Sequence, residues 1–313
     1  MNRVLVTGGT GFLGAWITRE LAAVGAQIRL FDLKPNTGNL DFVETGLSGA
    51  AEVIEGDIRD ADAVGNAVRG CDAVIHLAGL MTVDCSLKPV LATQINLIGS
   101  QNVFAAAVGE RVETVVYTST AGVYGPDDPG HPKPMTLYGT LKLAVEGVAR
   151  TAWIDDGIRS TGFRPYIVYG PGESAGIAAG PSIALRAASQ GEKAHIRFSG
   201  RVGFVHVRDV ARAMVSALTQ EAEGAHVYDL GGDYATVSDF ADELKRQRPS
   251  SKTEISGPPL RLPEFLGGGE TSDWFAAQPV TRISDGIAAT LAHWDEARDG
   301  ISFTRAANRV EAR

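Results

Sequence analysis

The sequence predicts an α/β fold, a doubly wound parallel sheet carrying a smaller C-terminal region. Three observations predict it. Apolar, β-branched runs alternate with helical patterns through the first half of the 313 residues, the rhythm of parallel strands joined by crossover helices. The first run, Val4-Leu5-Val6, leads at once into Gly8, Gly11 and Gly14, then into a helical apolar pattern through Trp16, Ile17, Leu21 and Val24. The second run ends in Asp32, 18 residues beyond Gly14.

In the first strand–turn–helix unit, glycine is needed at 8 for the turn and at 11 so that backbone can approach a pyrophosphate. At 14 it lets the helix pack close to the strand. The free N–H groups of the helix that opens at Phe12 and Leu13 can hold phosphates. Asp32 stands where a carboxylate hydrogen-bonds a ribose, so this stretch reads as a dinucleotide site. Such a carboxylate also repels a 2′-phosphate, which favours NAD over NADP.

Further strands are expected at residues 28–31, 51–55, 73–77, 114–118 and 162–168, with the clearest helices over 89–108 and 139–153. Right-handed crossovers align the carboxyl ends of these strands along one edge, where ligands bind. After the third strand, Asp57 has two readings: an acceptor for an adenine amino group, or the N-cap of a helix near Ala61. After the fourth, small residues at Ala78 and Gly79 allow backbone to lie beside a ribose and pyrophosphate, and His76 reads as a packed core histidine. Asn96 lies inside a helix and must be hydrogen-bonded there, as a lock on the backbone or as a member of a proton relay.

Composition narrows the partners. The net charge is −8 with no basic block, which argues against nucleic acid and anionic membrane. No apolar run reaches the ~18 residues of a membrane span, and the chain enters a strand at once, so a cytoplasmic protein is expected. Cys71 and Cys85 match no metal-ligand spacing, and no metal is expected. The 37 glycines are spread through turns and form no repeat.

Read together, several runs resemble the extended short-chain dehydrogenase/reductases, the NAD-dependent epimerase/dehydratase group. They are Thr7-Gly8-Gly9-Thr10-Gly11-Phe12-Leu13-Gly14, Asp57-Ile58, His76-Leu77-Ala78-Gly79, Asn96, Tyr117 to Gly125, Tyr138-Gly139-Thr140-Leu141-Lys142, and Arg164-Pro165-Tyr166-Ile167-Val168-Tyr169-Gly170-Pro171. The resemblance implies a Rossmann-type sheet, bound NAD and a Ser/Thr-Tyr-Lys catalytic set. It places Ile58, Leu77, Ala78, Gly79 and Pro165 beside the cofactor with the glycine loop, Asp32 and Asp57. It also favours Thr120 over Ser119 for the hydroxyl that holds substrate.

The chemistry follows from spacing as well. Tyr138 and Lys142 are four residues apart on a helix, so both project from one face. A tyrosine of pKa ~10 is a poor base, but an adjacent ammonium and a positive nicotinamide ring favour phenolate. A shift of about 3 units corresponds to about 4 kcal/mol. Tyr138 is then a general base for a substrate hydroxyl.

Departures from the family speak to substrate. Thr120 is followed by Ala121-Gly122 and not by the Asp-Glu pair that the resemblance associates with dehydration. Ile167 stands where nucleotide-sugar enzymes carry Asn, and Val202 where they carry Arg. Arg201 remains, to fork onto a single carboxylate or to form a structural salt bridge.

The division expected is an NAD-binding region over 1–170, whose core also receives 203–232, and a substrate-binding region over 171–313. Within the latter, 172–180 reads as a mobile loop over the site, 183–189 as a helix and 194–198 as a strand. Asp209 reads as the cap of a helix reaching 218, 227–230 as a strand and 237–245 as a helix. Residues 250–274 read as irregular, and the tail after His293 as a solvated helix. Small residues at Ala105, Ala106, Ala107, Ala144, Gly147 and Ala149 suggest a helix-mediated homodimer. The expected activity is NAD-dependent hydride transfer from a secondary alcohol or lactol carbon of a small sugar or sugar acid, a small-molecule substrate. The alternatives are epimerisation of a sugar or nucleotide sugar, and a non-catalytic dinucleotide-binding protein.

Overall fold

Seven parallel strands form the centre of the molecule: β1 (Arg3–Thr7), β2 (Gln27–Asp32), β3 (Ala51–Glu55), β4 (Ala73–His76), β5 (Thr114–Thr118), β6 (Arg159–Pro165) and β7 (Ala225–Leu230). Their order across the sheet is β7-β6-β5-β4-β1-β2-β3. The computed structural model describes residues 3–310, with side chains over 3–298. The chain runs outward from β1 to β3 and returns on the other side of β1, so the order reverses between β1 and β4. In open α/β sheets that reversal opens the ligand crevice. Thr7 is registered with Phe31 on one side and His76 on the other.

His76 is the core residue expected, and its bonds fix the switch point. Ser100 Oγ donates to Asn96 O at 2.6 Å, so the 2.8 Å contact to His76 Nε2 has the ring as donor. His76 Nδ1 then accepts from Thr7 Oγ1 at 2.7 Å, and the Thr7 oxygen accepts from the amides of Leu77 and Ala78. Burial pulls the His76 pKa down to about 3, which keeps the ring neutral for this work.

The strand expected over 162–168 is two strands. Pro165 ends β6, Tyr166 N donates to Leu230 O, and Ile167–Tyr169 turns into a separate three-stranded sheet. There it runs parallel to Arg201–His206, which pairs antiparallel with Asp233–Thr236. Within the expected return of 203–232 to the core, therefore, only β7 joins the central sheet. Lys252–Ile255, expected to be irregular, pairs with Lys193–Ile196.

The helix expected over 89–108 is Pro89–Thr93 and Gly99–Glu110 joined by a wider π turn, Gln94–Ile98. Asp209 does not cap the helix Val207–Ala217, whose N-cap is His206. It accepts instead from the amide and hydroxyl of Thr281 at 2.7 and 2.8 Å. The last helix, Ile283–Val310, is not wholly solvated. His293 Nε2 donates to Phe42 O at 2.9 Å and Trp294 meets the Phe42 ring at 4.6 Å, while its side chains past residue 298 lie outside the described residues.

The helix Leu137–Asp156 is started by Thr136, whose hydroxyl accepts from Gly139 N at 3.1 Å. It presses against the turn that follows β5 so closely that a Cβ at Gly139 would overlap Gly122 O. Gly139→Ala should cost about 1–3 kcal/mol, as overpacking does, and lower the urea midpoint. An unchanged midpoint would mean that the two backbones are not in contact.

Candidate active site

The glycine loop is built by contacts that leave no room for side chains. Gly8 has φ +66°, and a Cβ there would lie 3.0 Å from Ala78 N; one at Gly14 would lie 2.5 Å from Gly9 O. Gly11 caps the helix Phe12–Ala23 without any side-chain acceptor, and no acidic residue stands in its first turn. The first N–H groups of that helix are therefore open to an anion. Phe12 and Leu13 pack their side chains on the core, leaving their backbone to the loop. Asp32 accepts from Thr10 N at 3.2 Å and Thr10 Oγ1 at 2.7 Å, which fixes the carboxylate beside the glycine turn. These residues fit the pyrophosphate and ribose of a dinucleotide.

Asp57 is not a helix cap. Asp60 fills that role for Ala61–Val68, accepting from the amides of Asp62 and Ala63. Asp57 instead forms an ion pair with Arg59, which holds its carboxyl below the usual range. Ile58 is buried under the helix that starts at Gly99, where an added Cβ would lie 2.7 Å from its side chain. Pro165 closes β6 opposite Leu230.

Beyond Leu77 and Ala78, Gly79 lies against the polar centre: a Cβ there would be 3.2 Å from Asn96 Oδ1 and 3.8 Å from Lys142 Nζ. Asn96 accepts from Leu80 N at 2.7 Å and donates to Leu80 O at 2.9 Å. Of its two readings, the backbone lock is the one realised, and its side chain positions the 77–80 segment. Its amide also reaches the buried thiol of Cys85 at 3.5 Å, a neighbour of Tyr138 that sequence reasoning overlooked.

Tyr138 and Lys142 share a helix face, with Nζ 5.9 Å from the tyrosine ring centroid. Lys142 is buried and donates to Thr118 O at 2.8 Å. Burial lowers its pKa to about 8 and raises that of Tyr138, to which negative charge at Cys85 adds. The expected acidification of Tyr138 is thus not a property of the chain alone. Thr120 Oγ1 accepts from Gly122 N at 3.0 Å and keeps its proton to donate. Ser119 is instead buried on Glu146, at 2.5 Å.

Arg201 departs from expectation. It is exposed and donates to Tyr234 O at 3.2 Å; among the described residues it forms no salt bridge and no hydrogen bond to Thr120, Tyr138 or Lys142. Ile167 and Val202, at 2 % and 1 % exposure, lie in the core. Sequence reasoning also missed Glu146, although its spacing from Lys142 repeats that of Lys142 from Tyr138.

A family model for the NAD-dependent epimerase/dehydratase family matches residues 4–231. The chain belongs to this family. A relative in Burkholderia thailandensis, dTDP-L-rhamnose 4-epimerase, is 28 % identical over 304 residues, covering 82 % of this chain and 84 % of the relative. The uncharacterised protein y4nG of Sinorhizobium fredii is 29 % identical over 252 residues, or 77 % of this chain, which spans 59 % of that protein's length. The solved UDP-glucose 4-epimerase of Thermus thermophilus, in complex with NAD, is 27 % identical with a TM-score of 0.79, covering 93 % of this chain and 98 % of that one. Family membership agrees with the glycine cradle. Among the described residues no helix is long and apolar enough to cross a membrane.

The Lys142 environment has a measurable consequence. The unfolded chain holds the lysine proton to about 10.5 and the folded chain only to about 8, so between those values the unfolded state binds more protons and stability rises with pH. In cofactor-free protein, urea unfolding at about pH 7 and about pH 10 should show wild type gaining on Lys142→Met by on the order of 2–3 kcal/mol. A constant gap would mean that Lys142 titrates as an exposed lysine.

Proposed function

We propose that the protein binds NAD at the glycine loop and Asp32, and epimerises a sugar or nucleotide sugar at a secondary alcohol carbon. The observation that carries this reading is the Gly122–Gly139 backbone contact, which sets the turn holding Thr120 against the helix start that bears Tyr138, with Lys142 Nζ 5.9 Å from the Tyr138 ring. NAD, when bound, supplies the reversible hydride acceptance on which oxidation and epimerisation at such a carbon both depend. The Thr120 hydroxyl holds the substrate hydroxyl, and Tyr138 takes its proton as phenolate and returns it as phenol. Lys142, braced on Thr118 O, places positive charge next to the phenol. Residues 1–170 with β7 hold the cofactor, and 171–313 supply most of the substrate wall. The epimerases among the relatives support this reading over net oxidation.

A second reading, net NAD-dependent oxidation of a small sugar or sugar acid, is favoured by one observation. Ile167 and Val202 stand in the core, where they offer no handle for a diphosphate. One experiment separates the two. The protein is incubated with NAD and a panel of sugars, aldonates, uronates and nucleotide sugars; product without accumulation of reduced cofactor supports epimerisation, and stoichiometric reduced NAD supports oxidation. Tyr138→Phe should lower turnover by ~10²–10⁴ while titration still gives tight NAD binding, preferred over NADP. Retained turnover would refute the base, and an NADP preference the role of Asp32.

A homodimer is proposed through the helices Gly99–Glu110 and Leu137–Asp156. Ala107 and Ala149 pack in the core, so the contact face is narrower than the alanine pattern suggests. Ala105, Gly147, Ile98 and Ile154 are exposed. Light scattering at micromolar concentration should give twice the chain mass, and a monomer would refute the contact.

A further inference from the structure

Residues 258–270 form a strap across the carboxyl ends of β6 and β7. Its backbone is tied down along its length. Tyr166 Oη donates to Pro263 O at 2.6 Å, Leu266 N to Tyr234 Oη at 2.9 Å, Gly267 N to Pro129 O at 3.1 Å and Glu270 N to Val227 O at 2.8 Å. Between these, Gly268 N and Gly269 N both donate to Asp229 Oδ2, at 3.2 and 2.7 Å. The approach needs glycine. A Cβ at Gly268 would overlap Gly130 O, and one at Gly269 would lie 2.5 Å from Asp229 N.

Asp229 does not end with the strap. Tyr124 Oη lies 3.0 Å from both its oxygens and accepts from Arg164 Nη1, which is itself 3.6 Å from Asp229 Oδ1. Arg164 forks onto Glu146 at 2.8 and 2.6 Å, and Glu146 accepts from Ser119. Glu146 lies one turn beyond Lys142 on the helix that carries Tyr138, and Ser119 adjoins Thr120. A continuous polar path therefore joins the strap to the catalytic helix.

The chemistry of this path is selective. Glu146 already neutralises Arg164, so the second carboxylate is not needed for charge balance, and burying it carries a desolvation cost. What faces Asp229 explains its presence: Tyr124 O–H, Gly268 N–H, Gly269 N–H and the Arg164 guanidinium are all donors. Only an acceptor-only group satisfies such a set, and an asparagine would aim its own N–H groups at one of them.

We propose that Asp229 is a positioning residue that clamps the 267–270 strap, as a wall of the substrate cleft, to the helix bearing Tyr138 and Lys142. The cleft assignment rests on the function proposed above; the clamp itself does not.

The test uses full-length, NAD-loaded protein. In Asp229→Asn, amide exchange at Gly268 and Gly269 should accelerate by about tenfold or more, with exchange in β1 and β4 unchanged. KM for the substrate found in the panel should rise about tenfold with kcat within about threefold of wild type, since a misplaced wall weakens binding of substrate and transition state alike. The NAD Kd should stay within about twofold. Asp229→Glu, which keeps an acceptor-only carboxylate, should recover part of the KM and serves where the asparagine variant does not fold. Tyr124→Phe leaves both strap amides on the carboxylate and should leave strap exchange near wild type. Unchanged strap exchange in Asp229→Asn, equal acceleration in Tyr124→Phe, or a freed strap with unaltered KM would each overturn the proposal. Full activity of Tyr138→Phe would refute the function but leave the exchange result to judge the clamp.

Discussion

The face of Leu137–Asp156 that presents Tyr138, Lys142 and Glu146 at four-residue intervals is turned inward, so a lysine and a glutamate enter the interior together and each must be given partners there. They do not satisfy one another. Lys142 takes the carbonyl of Thr118 at the end of β5, and Glu146 takes Arg164 from β6 and Ser119 from the turn after β5. A buried charge left without such a partner costs several kcal/mol. Satisfying both therefore fixes the helix against two neighbouring strand ends. The Gly122–Gly139 contact is the steric side of the same constraint, because the helix can reach these partners only if two backbones meet without side chains between them.

That environment also constrains the chemistry. Burial disfavours both charged forms, so it lowers Lys142 and raises Tyr138. The chain alone holds a neutral phenol beside a weakly basic amine. A positively charged nicotinamide ring held beside Tyr138 would favour its phenolate, so the base role proposed for Tyr138 requires bound cofactor.

Features set by neighbours in sequence were legible in the sequence. The glycine loop, the first five strands and the Tyr138–Lys142 face each depend on local periodicity or on fixed spacing, and they stand where expected. What was not legible depends on distant partners. Nothing near Asp209 announces Thr281. Asp57 is the local exception: Arg59, two residues on, takes its carboxylate, and Asp60, three on, caps the helix in its place. The break at Tyr166 is partly local, since Pro165 cannot donate to a ladder, but the new sheet depends on Arg201–His206. Arg201 belongs with these, since nothing near it announces Tyr234, whose carbonyl it meets while Val202 beside it turns into the core.

That burial of Val202 bears on how this chain can differ from its relatives in substrate. A change confined to a side chain on a rigid strand removes a contact without supplying another, and Ile167 and Val202 are of that kind, both absorbed into the core. New contacts must come from elements not bound into the sheets by ladder hydrogen bonds. The 258–270 strap is such an element. It is held by hydrogen bonds to Tyr166, Tyr234 and Pro129, by two amides on the Asp229 carboxylate, and at its end by Glu270 N on Val227 O of β7, so between these anchors its path can change without disturbing the seven-stranded core. One exposed aromatic, Phe265, already stands on it. Under the clamp proposed above, the strap and its anchors are where a substrate contact can be rebuilt while the helix bearing Tyr138 and Lys142 stays held by its buried charges.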